Sequence, residues 1–85
     1  MSPAEQVRDY ANRHYVVPAR ASKQSTVTFT AGSIHKALGF DGLMPCVCDA
    51  LWTRSRIFET KFGVKRISRI GPRQGATSTF TFSLA

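Results

Sequence analysis

The sequence predicts a small α+β fold made of three helices, one short strand and a C-terminal β-hairpin. Three observations predict it. Residues 77–84 alternate, with Phe80, Phe82 and Leu84 on one face and Thr79, Thr81 and Ser83 on the other. That is the period of a half-buried strand. Before residue 64, apolar stripes of helical spacing are bounded by recognisable start and stop residues. The chain has 85 residues, the length of one domain with a small core.

The elements follow in order. A helix is expected over residues 2–15, with Ser2 as N-cap, Pro3 at the first helical position and Glu5 as the capping-box partner. Ala4, Val7, Ala11, His14 and Tyr15 share one face, and Gln6, Arg8, Asp9, Asn12 and Arg13 take the other. Pro18 disfavours helical geometry in the residue before it, so the helix is expected to end near Tyr15 and residues 16–25 to form a connector. Residues 26–30 alternate as a strand with Val27 and Phe29 inward. A second helix is expected over 31–39, capped by Thr30, carrying the stripe Ile34, Ala37 and Leu38, and stopped by Gly39. A third is expected over 45–62, opened by Pro45, with Val47, Ala50, Leu51, Phe58 and Phe62 in register. Arg54 falls in the middle of that inward face, which predicts a kink near Arg54 and Ser55 and a second helical piece ended by Gly63. The hairpin spans 64–84. Its first strand carries Lys65, Arg66 and Arg69, and residues 71–75, Gly-Pro-Arg-Gln-Gly, make a loop too long for a two-residue turn.

Charge narrows the function. Twelve Lys and Arg against five Asp and Glu give +7. Residues 1–53 hold five basic and four acidic side chains, whereas residues 54–85 hold seven basic residues against Glu59 alone. A one-sided positive field points to a polyanion, most commonly nucleic acid. The basic residues sit on strands and loops and not on an amphipathic helix, which argues against a membrane surface. No run approaches the ~18 apolar residues of a membrane span. The polar start is not expected to be a secretory leader. Cys46 and Cys48, two apart, diverge by about 200° on a helix and can neither pair nor chelate one ion together. They are expected to be buried, reduced thiols of a cytoplasmic protein, nucleoid-associated when bound to DNA. His14 and His35 complete no zinc spacing with them. No nucleophile–base–acid set, paired catalytic carboxylates or phosphate-binding loop is present, so neither an enzyme nor a cofactor is expected.

The order helix, strand, helix, turn, helix, hairpin, together with the phrase "VTFTAGSIHKALGF", resembles the winged helix-turn-helix superfamily. The likeness at the level of residues lies at 29–33 and 37–39. Residues 39–47 are about two longer than the tightest helix-turn-helix spacing. The resemblance implies a recognition helix over 45–62 that enters the major groove, with the hairpin as a basic wing. The partner it implies is double-stranded DNA, bound by a small transcriptional regulator or by a recognition module joined to a homodimer mate or larger protein. On this reading Thr53 and Arg56 lie on the outward face of the third helix with Asp49, and Arg54, at the expected kink, is counted with them among the DNA-binding residues. Trp52 is at its boundary as a packing residue. Lys36 reaches phosphate from the second helix. Lys65, Arg66 and Arg69 belong to the first wing strand, and Arg73 and Gln74 to its tip, where an arginine suits a narrow minor groove. The rival readings are an RNA-binding winged helix and a protein-interaction winged helix.

Overall fold

The computed structural model describes residues 2–52, 56–71, 75 and 77–84. Helix α1, Pro3–Ala11, begins as its cap residues dictate. The Ser2 hydroxyl accepts the Glu5 backbone N–H at 3.2 Å and donates to the Glu5 carboxylate at 3.2 Å. The helix does not stop at Tyr15. Asn12–Val16 widens into a π turn in which the Val17 N–H reaches Asn12 O, and α2, Val17–Ala21, continues the rod. Proline in a helix interior lacks a donor and collides with the carbonyl four residues back. A π turn spaces its bonds five residues apart and makes room for Pro18. The rod therefore spans 3–21 and absorbs residues 16–21 of the expected connector. It buries Val7, Ala11, Val16 and Ala19.

Strand β1, Thr26–Thr30, buries Val27 and Phe29 and leads directly into α3, Ala31–Ala37. The Thr30 hydroxyl caps α3 by accepting the Ser33 N–H at 3.2 Å. Gly39 then takes the left-handed backbone (φ 67°) that glycine adopts without penalty. The expected third helix is two helices. Helix α4, Met44–Leu51, is capped by Trp52 (φ −137°, ψ 68°), and α5, Ile57–Phe62, by Arg56 (φ 52°, ψ 39°), both outside helical geometry. Arg54 and Ser55 lie outside the described residues.

Strands β2, Lys65–Ile70, and β3, Thr79–Ser83, complete a three-stranded antiparallel sheet of order β1-β3-β2. Phe29, Phe80 and Phe82 face the helices, where Phe58 packs 5.1 Å from Phe82 and Trp52 lies 5.7 Å from Phe80, centroid to centroid. Each buried aromatic of this kind contributes about 1.5–3 kcal/mol from area alone. On the far side Val47 and Leu51 meet Val7, Ala11 and Ile34, all buried. The fold is thus α+β, with helices on one face of the sheet. Among the described residues no helix is long and apolar enough to cross a membrane.

Candidate nucleic-acid interface

Arg66 and Arg69 are three apart, a spacing that puts side chains on opposite faces of a regular strand. The structure places them on the same face. Arg66 pairs with Phe82 and Arg69 with Phe80, because a bulge between Arg66 and Ser68 leaves Ile67 without a register partner. Both arginines therefore lie on the helix side of the sheet, an inward-pointing charge pattern that also protects an edge strand from pairing with another chain.

Arg66 is held from two sides. Its Nε donates to both Glu59 oxygens at 3.0 and 3.1 Å, and its Nη2 donates to Oε1 at 2.7 Å. Its guanidinium also lies 4.5 Å from the Trp52 ring centroid. Glu59 is buried, so this fork is what permits a carboxylate there. Removing Arg66 would leave the buried Glu59 carboxylate, among the described residues, only a loose contact with Arg56. Arg69 is exposed and near enough to α4 to act on the Cys48 thiol. Burial pushes that thiol up; a Ser78 hydrogen bond and the Arg69 charge oppose the rise, and Asp49 adds to it.

Arg56 completes the group. Its side chain is 67% exposed, and its Nε stands 3.9 Å from Glu59, a loose ion pair. Its left-handed backbone is sparsely populated by residues other than glycine, asparagine and aspartate. Arg56, Glu59, Thr60, Val64, Lys65 and Arg66 line an open cleft of about 530 Å³ between α5 and β2.

Of the residues expected at the interface, Arg56, Lys65 and Arg66 thus meet at one cleft, and Arg69 follows on the same strand. Lys36 is exposed on α3 and is not among the residues of that cleft. Thr53, Arg54, Arg73 and Gln74 lie outside the described residues. Helix α4 carries no basic side chain, and Asp49 is its exposed charge. Arg8, assigned from periodicity to the outer face of the first helix, instead donates through Nε to Ala50 O at 3.0 Å and ties α1 to the end of α4.

Two participants were not singled out from sequence. Glu59 is the buried counter-charge of the cleft, and its signal was present, as the only acid among seven bases after Thr53. Ser78 is buried where the hairpin loop closes, and it accepts the Gly75 N–H at 3.3 Å. No sequence pattern marks it. The remaining candidates for metal chemistry have other work. His35 Nε2 accepts the Leu43 N–H at 3.3 Å, which fixes the turn between α3 and α4. His14 stacks on Tyr10 at 4.1 Å. Cys48 is buried, and neither it nor Cys46 is in a disulfide. Among the described residues no three His, Cys, Asp or Glu side chains converge.

No family model, curated protein or solved structure matches this chain.

Proposed function

We propose that the chain is a winged helix-turn-helix domain that binds double-stranded DNA, with residues 45–62 and the basic hairpin as its contact surface and the hairpin as the wing. One observation carries the reading. Arg56, Lys61, Lys65, Arg66 and Arg69 follow one another from the cap of α5 to β2, while the rod, α3 and α4 together are nearly neutral. The element order and the β1-β3-β2 sheet support it, because they bring the third helical segment and the hairpin together beside a buttressing rod.

On this reading phosphate neutralisation supplies most of the affinity, and α5 with β2 supplies the charge for it. Asp49 on α4 repels phosphate and serves only where a cytosine amine can donate to it. A regulator or a recognition module of this size would position itself by the hairpin and read bases through the α4–α5 segment.

The test is affinity for a duplex measured against salt. About four to six phosphate contacts predict a slope of log affinity on log salt of about −3.5 to −5.5. Arg69→Ala should make it shallower by about one contact, roughly 0.9. Arg13→Ala is the control, since Arg13 is 73% exposed on the rod and pairs with Asp9. A flat salt dependence, or equal losses from Arg13 and Arg69, would remove the docking proposal. Tighter binding to structured RNA would transfer it to RNA. A second reading, a protein-interaction module, is favoured by Ile67 and Ile70, which are 54% and 67% exposed on β2. A salt-insensitive complex with protein, and none with DNA, would decide for it.

A further inference from the structure

We propose that the cleft between α5 and β2 is a seat for a single phosphate dianion, the terminal phosphomonoester at a nucleic-acid end. The inference rests on the DNA-binding reading only for the source of that phosphate.

Charge is the first argument. Glu59 and Arg66 cancel one another in their fork, and among the described residues Arg56 and Lys65 remain at the same cleft as two net positive charges. A phosphomonoester carries about −1.5 to −2 at neutral pH, whereas each internal backbone phosphate carries about −1. The cleft matches the dianion.

Preorganisation is the second. Glu59 and Trp52 fix the Arg66 guanidinium in place before any ligand arrives, so little freedom is lost when an anion docks beside it. Arg56 is the opposite case. It is 67% exposed and only 3.9 Å-paired with Glu59, so it can turn from the carboxylate to clamp an arriving oxyanion. Thr60, from the next turn of α5, also lines the cleft. One arginine is thus a fixed wall and the other a moving one.

Shape is the third. At about 530 Å³ the cleft is in the range of small-ligand sites, about 300–1,000 Å³. That holds a phosphate with its terminal sugar.

The experiment uses the whole chain and two blunt duplexes of one sequence, one with 5′-phosphates and one with 5′-hydroxyls, followed by fluorescence anisotropy. The phosphorylated duplex should bind about tenfold tighter, from one or two charge-assisted hydrogen bonds. Inorganic phosphate, added alone, should shift the Arg56 and Arg66 Nε–H resonances. Arg56→Gly keeps the left-handed backbone comfortable and removes the clamp. It should abolish the preference, and Lys65→Gln should reduce it. Equal affinity for both duplexes with no phosphate-induced shift would overturn the cleft and leave DNA binding standing. Shifts with inorganic phosphate in a chain that binds neither duplex would uphold the cleft as a phosphate seat and overturn DNA binding instead. Shifts together with equal duplex affinities would overturn the nucleic-acid end and assign the seat to a small phosphate ligand. An Arg56→Gly variant that weakens both duplexes equally would overturn the terminal phosphate in favour of an ordinary backbone contact.

Discussion

Strands β1 and β2 flank the same strand, β3, in the same antiparallel sense, yet they are built for different purposes. Along β1 the register is unbroken: Val27 and Phe29 stand beside Phe82 and Phe80 and are buried with them. Its threonines face out, and Thr28 and Thr81 share a hydroxyl hydrogen bond at 3.1 Å. Along β2 the register slips at Ile67, the strand is largely exposed, and Arg66 and Arg69 occupy the inward positions that β1 gives to valine and phenylalanine. One edge is sealed onto the core. The other is held to it by a salt bridge and an aromatic face, and it keeps its charge available. A small sheet can thus place its stability on one side and its polar surface on the other, with the shared strand answerable to both.

That asymmetry can be broken most severely at the shared strand. Phe82→Ala removes the ring that touches Phe29, Phe58 and Trp52, and it should cost about 3–5 kcal/mol in a denaturant titration. A loss within about 0.5 kcal/mol, the scale of an ordinary surface change, would mean that the two faces of β3 are assigned the wrong way round. Next comes the tether of β2. Glu59→Gln leaves the Arg66 guanidinium against a neutral amide and should cost about 1–3 kcal/mol. In an Arg66→Gln background the same change should cost markedly less, and an unchanged cost would dissolve the pair as a tether. The smallest effects sharpen the comparison itself. Val27→Ala on β1 should cost about 1–2 kcal/mol, and Ile67→Ala on β2 should stay within about 0.5. Equal costs would erase the distinction between the two edges.

Much of the fold could be read from residue patterns because those patterns are local. Ser2, Pro3 and Glu5 mark a helix start whatever the rest of the chain does, and the alternation around Phe80 and Phe82 assigns a buried face. That the third helical segment would be two pieces was legible because a charge cannot share a face with Leu51 and Phe58 without a partner. What escaped depends on geometry that no short window carries. Pro18 reads as a stop, and only the π turn before it lets the rod continue. The Ile67 bulge cannot be seen in "KRISRI", and without it Arg66 and Arg69 belong to opposite faces. The site was legible as a concentration of charge and not as an arrangement. Arg56, Lys65 and Arg66 could be named, but that they meet at a cleft around one buried carboxylate follows from the chain's reversal between α5 and β2. Arg8 was misread because periodicity says which side of a helix a residue is on and nothing about the carbonyl its long side chain can reach.

The π turn also bears on how this chain can change in length. It holds one residue more than an α-helical turn would, between flanks whose far end is anchored where Arg20 Nη2 donates to Gly63 O at 2.9 Å. Losing one residue from Asn12–Val16 would close the turn into ordinary helix and leave both flanks and that anchor in place, were it not for Pro18. Its ring would then meet the carbonyl four positions back. The surplus residue and the proline are therefore tied together. A shortening is tolerable only after the proline has gone, and the proline is tolerable only while the chain stays long, so an insertion at this point, once followed by proline, is locked in like a ratchet tooth.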